Sequence, residues 1–497
     1  MLFSPAMRDP WPWRGCYALC SVLLLAPLWL ATYPPLVDAP QHAAQIAIAH
    51  GWSDASLGYA AEYELNWLTN SVVAYGLAYL LAFVLPVVTA LKVVLSLALL
   101  AVPLVVDRLV RELDGDPWWV FVSFPIGYGY AFFWGFLNFV VAVPIGLLLV
   151  LFALRYARAP SPRGAIALAA AVHLLFISHV LVLAYAGLVA LLLIWLNTGT
   201  LRDRLIGAAA LASVVPLTAS WWIATKMLTP GSTPMAAPTV LGYGVSRLAE
   251  LPAYVVGMPV DAASVGVGLF LIAAPLLMGA RPSRQAWRWA PLAVTLLFHL
   301  AVPLNVLDTA FVYPRFTIFV IPGLLLALDR VLVPRLLLRY LTVGLVVLWL
   351  AFLALRFHDF DDEARPAAEL IEQMEPGKRV LSLVISADSA HLPWHPYLHF
   401  PIWYQSARGG IADFSFAEFF PNRFRYREGR DPPLPYNVEW APYQFDWRAH
   451  DGQRYDYFLI RRGLQNPWDP LAGATTEIEL VDRRGSWWLY RQRRQTD

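Results

Sequence analysis

The sequence predicts an α-helical polytopic membrane protein of about eleven transmembrane helices, followed by a C-terminal extracytoplasmic α/β domain. Three observations lead there. Of 497 residues, 58% are hydrophobic and only 14% charged, against about 25% charged in soluble domains. The apolar residues come in uncharged runs of about 20, the length a bilayer core asks of a helix. Arginines recur in short groups between those runs. The formal net charge of +2 excludes the bulk basic field of a nucleic-acid binder.

The elements follow in order. Arg8 and Arg14 precede the first apolar run, which ends at Leu30-Ala31-Thr32-Tyr33-Pro34-Pro35 with no small-x-small cleavage site, so the first helix is retained. Cys16 and Cys20 share one face of it as small packing residues. Further basic groups are Arg108/Arg111, Arg155/Arg158/Arg163, Arg202/Arg204, Arg281/Arg284/Arg288 and Arg330/Arg335/Arg339. Short arginine-bearing loops stay cytoplasmic. The N-terminus is therefore expected on the cytoplasmic side of a bacterial inner membrane. Paired helices join the six groups, and an eleventh helix, about 340–356, carries the chain out. Residues 67–86 are read as a helix in the outer interface, before one span at about 88–107. Trp118-Trp119 reads as an interfacial belt.

Residues 1–356 thus form a transmembrane module with a long first outer loop, 34–87, and a second outer loop at about 226–262. Residues 357–497 form a soluble periplasmic domain. It opens with an acidic, helix-compatible stretch, Asp359 to Glu375, and continues with strand-like runs at Arg379–Ile385, Tyr455–Ile460, Ile478–Val481 and Trp487–Tyr490.

The first outer loop carries the most chemistry: Pro34-Pro35-Leu36-Val37-Asp38-Ala39-Pro40-Gln41-His42. Asp38 falls where a helix begins, with Pro40 in its first turn and His42 one turn on. The carboxylate either caps that helix, acts as a general base toward a hydroxyl with His42 beside it, or helps hold a divalent cation. Glu62 and Glu64 are the acids that complete such a Mg²⁺ or Mn²⁺ site with Asp38. In the soluble domain, His391, His395 and His399 recur every fourth residue, but Pro393 and Pro396 argue against the helix a metal site needs. A loop holding His395, His399 and Arg408 is expected to close over a cavity and bind phosphate or sugar.

The chain resembles the GT-C superfamily of integral-membrane glycosyltransferases, which draw sugars from polyprenyl-phosphate donors. The likeness rests on Val37-Asp38-Ala39-Pro40-Gln41-His42 after the first helix, on the helix-loop-domain plan, and on Phe133-Trp134-Gly135-Phe136-Leu137-Asn138-Phe139 at an outer turn. Many GT-C enzymes carry two adjacent acids at the loop position; this chain has one. The resemblance implies that Asp38 deprotonates an acceptor hydroxyl of a glycan, lipid or protein. That oxygen attacks the anomeric carbon with inversion. It also implies outer-face cations for the leaving phosphate, Arg315 first and Lys226 second, with Asn138 among the substrate-binding residues. Two other readings stay open. One is a non-catalytic relative that binds the lipid or scaffolds envelope assembly. The other is a transporter, disfavoured because polar residues and repeated halves near the midplane are lacking.

Overall fold

The computed structural model describes residues 11–228, 244–306, 309–330, 335–419, 422–429, 434–435, 437–463, 469–474 and 476–493. Arg8 and positions 229–243 of the second outer loop lie outside them. Among the described residues six helices are long and apolar enough to cross a membrane: Trp11–Leu30 (α1), Val87–Glu112, Leu137–Arg158, Val180–Asn197, Leu201–Met227 and Leu336–Gln373. Three shorter apolar helices accompany them, Pro162–Phe176, Ala262–Leu277 and Tyr313–Leu326. The expected count of about eleven treats all apolar runs alike; the backbone divides them into full-length and shorter helices.

Leu137–Arg158 is the most enclosed span, with 78% of its apolar window buried. It packs against Val87–Glu112, Pro162–Phe176 and Val180–Asn197. The arginine-bearing turns are tied to one another. Arg155 and Arg158 reach Glu112 at 2.9 and 3.1 Å, Arg339 pairs with Asp116, and Arg288 with Asp329. Trp118 and Trp119 are buried in this region, Trp118 beneath the Arg339 guanidinium at 5.6 Å. They are packing residues here and do not form a belt.

Within 67–86 the helix is Val73–Leu81. Its nine residues span about 14 Å at the helical rise, too short to cross a bilayer core.

The chain leaves the last span without a break. Leu336–Gln373 is one helix of 38 residues, about 57 Å long, packed along α1. The switch at 356/357 from apolar to acidic residues therefore falls inside a helix. Polarity changes there but helix propensity does not. Past the switch, Phe360, Ala364, Ala367 and Ile371 keep a buried stripe at helical spacing. That stretch contacts the outer strands of the sheet.

The sheet has five strands in the order Ile411–Ala412, Arg379–Val384, Tyr457–Arg461, Trp487–Gln492, Ile478–Arg484. The first three are parallel and the last two antiparallel. Four of these strands match the expected runs. A separate antiparallel pair joins Tyr63–Leu65 of the first outer loop to Phe424–Tyr426 of the soluble domain. The two regions are thereby stitched together.

Candidate functional site

The site is built on a short helix, Ala39–His50 (α2), that begins at Asp38 with proline in its first turn. Proline fits there because the first helical N–H groups have no intrahelical partner. Ala39 through Ile46 are all buried, and the run of alanines lets neighbours approach from every side. Asp38 occupies the N-cap position, yet its side chain makes no capping hydrogen bond.

What holds Asp38 is the turn Phe133-Trp134-Gly135. The Val37 and Asp38 amides donate to the carbonyls of Phe133 and Trp134 at 3.0 and 3.2 Å. Gly135 follows with φ of 79°, and a Cβ there would lie 2.8 Å from the Asp38 nitrogen. Only glycine offers both the left-handed conformation and the room. The two segments singled out in the sequence are thus one docked unit.

His42 serves that unit. Its Nε2 lies 3.0 Å from the Gly135 carbonyl and its Nδ1 2.6 Å from the Tyr75 hydroxyl. A carbonyl only accepts, so Nε2 carries the proton and Nδ1 accepts from Tyr75. Burial pushes the imidazole down to about 4, against the opposing pull of Asp38 and the Gly135 carbonyl. His42 is neutral with both nitrogens engaged. It fixes the helix to the turn and takes no hydrogen bond from Asp38.

Gln41 and Gln45, one turn apart, clasp the soluble domain. Gln41 donates to Phe414 O at 2.7 Å and accepts from Phe416 N at 2.9 Å. Gln45 donates to Phe424 O at 3.2 Å and accepts from its N at 2.7 Å.

Two cations flank Asp38. His399 Nε2 lies 3.4 Å from Asp38 Oδ1, and its Nδ1 lies 2.6 Å from Glu439 Oε1. Burial alone would lower this imidazole, but Glu439 and Asp38 raise it to about 10. It is an imidazolium at neutral pH. Arg315 is buried with its guanidinium 3.4 Å above the Phe136 ring. Its Nε and Nη2 donate to Phe311 O and Ala310 O at 3.0 and 2.6 Å. It lies within reach of the Asp38 charge. Nη1 makes no hydrogen bond among the described residues.

The chain matches no family model and no curated protein sequence. Solved structures do match. The chain aligns over 97% of its length, and 98% of the other chain, with ArnT from Cupriavidus metallidurans bound to undecaprenyl phosphate, at 13% identity and a TM-score of 0.55. The apo state of ArnT aligns over 96% and 97%, at 13% identity and a TM-score of 0.57. The chain shares the overall fold of these ArnT structures.

Within this fold the remaining expected residues disperse. Asn138 stands in the docked turn region, hydrogen-bonded to Tyr75. Lys226 is exposed, its ammonium 5.1 Å over Trp222. Arg408 donates to Met374 O at 3.1 Å, away from Asp38. The three histidines face three different acids: His391 lies 3.8 Å from Asp359, His395 2.6 Å from Asp388, and His399 joins Asp38. Only His399 enters the site. The prolines between them hold a looped path, with Trp394 and His395 both at positive φ.

The acids expected to hold a cation do not converge. Glu62 is paired with Arg379 at 3.2 Å, and Glu64 lies in a strand opposite Arg425. Among the described residues no group of three histidine, cysteine or acidic side chains is arranged to hold a metal. Sequence reasoning missed Glu439, Gln41, Gln45 and Tyr75. A lone acid in Asn437-Val438-Glu439-Trp440 carries no local signal, whereas Gln41 and Gln45 at i and i+4 on an otherwise apolar helix did mark a polar seam.

Proposed function

We propose that the chain is an inverting membrane glycosyltransferase. It moves a sugar from a polyprenyl-phosphate donor to an acceptor hydroxyl on the outer face, with Asp38 as general base. The observation that carries the reading is Asp38 itself. A scaffold would leave this carboxylate saturated as a helix cap; here it caps nothing and shares its surroundings with a buried arginine. The fold is that of a protein bound to undecaprenyl phosphate, which supports the same lipid class as donor.

The chemistry follows from the arrangement. Asp38 takes the proton of the acceptor hydroxyl as its oxygen bonds to the anomeric carbon. The bond from that carbon to the phosphate oxygen breaks, and polyprenyl phosphate leaves with the electron pair. Arg315, its guanidinium fixed by Phe136 and two carbonyls, offers Nη1 to the growing phosphate charge without reorganising.

Purified protein, incubated with a panel of radiolabelled polyprenyl-phosphate sugars with and without Mg²⁺ or Mn²⁺, tests the reading. Transfer by the wild type and its loss in folded Asp38→Asn protein is the expected result. No transfer from any donor, with an unchanged cellular phenotype for Asp38→Asn, overturns it in favour of a lipid-binding scaffold.

A further inference from the structure

We propose that His399, held by Glu439, is a positioning residue for Asp38, so that the soluble domain completes the transferase site. The role rests on the reading of Asp38 as base.

The geometry is a row of three side chains from three places in the chain: Asp38 at the start of α2, His399 in the looped segment after Pro396, and Glu439 in the helix Asn437–Trp440. The imidazole and Glu439 side chains are 2% and 5% exposed, so water cannot substitute for either partner. An imidazole has one proton-bearing edge for each acid. With Nδ1 donating to Glu439, Nε2 is aimed at Asp38 Oδ1. Gln41 Nε2 passes 3.4 Å from Nδ1, but its shorter bond is to Phe414 O. Phe416 lies edge-on to both histidines, with ring centroids 5.4 Å from His399 and 6.1 Å from His42. It separates the charged imidazole from the neutral one. Oδ1 is the Asp38 oxygen that faces His399. A carboxylate on either nitrogen of one imidazolium also explains how a buried histidine stays charged, and removing it takes that cation from two buried acids.

The arrangement assigns His399 no substrate contact. Its loss is therefore felt in turnover and not in donor binding, since misplacing a reacting group by about 1 Å costs roughly 100-fold in rate. The test uses the full-length protein in lipid nanodiscs, comparing His399→Gln, Glu439→Gln, Asp38→Asn and the double variant Asp38→Asn/His399→Gln. We expect kcat to fall roughly 100-fold in the first two, with the donor KM within about twofold. The double variant is expected to fall no further than Asp38→Asn, because the two residues act as a unit. A second readout needs no turnover. Histidine-selective ¹⁵N NMR of the wild type should show one imidazolium persisting above about pH 8, past the ordinary histidine range. That signal should vanish in His399→Gln and move in both Asp38→Asn and Glu439→Gln.

An unchanged kcat in His399→Gln and Glu439→Gln, beside an inactive Asp38→Asn, overturns the positioning role and leaves the base reading standing. A raised KM with kcat intact overturns it in favour of substrate binding. A fully active Asp38→Asn removes the base reading and this role with it. Should the variants fail to fold, the wild-type spectrum still decides: no persistent imidazolium refutes the row.

Discussion

Gly135→Ala is the sharpest perturbation of the docked unit that carries Asp38. The new Cβ would lie 2.8 Å from the Asp38 nitrogen and 3.2 Å from its Cα. Both are backbone atoms, so no flexible side chain can yield. Restoring ordinary contact at about 3.4 Å moves the helix start bearing Asp38 by about 0.6 Å. The φ of 79° adds a conformational cost of about 1–2 kcal/mol for any residue with a Cβ. The displaced turn also takes with it the carbonyl that receives His42 Nε2. A shift of this size at a reacting group predicts a turnover loss of at least about tenfold, approaching 100-fold near 1 Å. Donor affinity should change less than turnover, because Arg315 keeps its bonds to Ala310 O and Phe311 O although Phe136, beneath its guanidinium, moves with the turn. Single-turnover transfer, donor binding and thermal unfolding of the nanodisc-embedded variant separate these effects. A Gly135→Ala protein with wild-type turnover and an unchanged melting temperature would refute the claim that this turn sets the position of Asp38.

Three further outcomes are expected. Gln41→Leu removes both bonds to Phe414 O and Phe416 N and strands the buried Phe414 carbonyl at about 1–3 kcal/mol, the half-buried Phe416 amide at less; limited proteolysis should then cut the soluble domain faster, and an unchanged pattern would contradict the clasp. Arg315→Lys keeps the charge but loses the stacking on Phe136 and the paired carbonyl bonds, so kcat/KM should fall at least about tenfold; wild-type kinetics in this variant would exclude Arg315 from the phosphate site. Stability should also depend on pH in two windows. His399 is raised to about 10, so its contribution is fully present below the ordinary histidine value and is lost as pH rises through about 10. His42 is lowered to about 4, so the unfolded chain binds the extra proton and stability falls as pH drops from the ordinary value toward about 4. Melting temperatures across both windows, with His399→Gln and His42→Gln as comparators, should each lose one limb of the profile.

Much of this was legible in the residues, and the rest was hidden for physical reasons. The helix start at Asp38 was readable because capping and proline preferences are local. The strands at Arg379, Tyr457, Ile478 and Trp487 were readable because their β-rich patterns are local as well. The segments Val37–His42 and Phe133–Phe139 both drew notice by their resemblance to a known family, but their docking onto each other did not. That Gly135 faces the Asp38 backbone is a contact across nearly a hundred residues of chain, and no periodicity records it. The histidines at 391, 395 and 399 show the opposite failure: their spacing suggested a shared purpose, and the two prolines between them sent each to a different acid. Glu62 looked like a ligand in isolation; its partner Arg379 lies in the first long strand of the soluble domain.

The same contacts explain why one short helix governs the site. α2 is held on one side by His42 through Tyr75 and Gly135, which belong to the helical part of the chain. On another side Gln41 and Gln45 bind backbone of the soluble domain. Asp38 stands at the end of this helix, where both sets of constraints meet. A carboxylate on a free loop would sample many orientations and lose entropy on every turnover. Here that cost is met once, in folding. The arrangement also makes the soluble domain more than a cover. Deleting it would remove the glutamine clasps, the Tyr63–Leu65 pairing and His399 together, leaving Asp38 on a helix anchored from one side only.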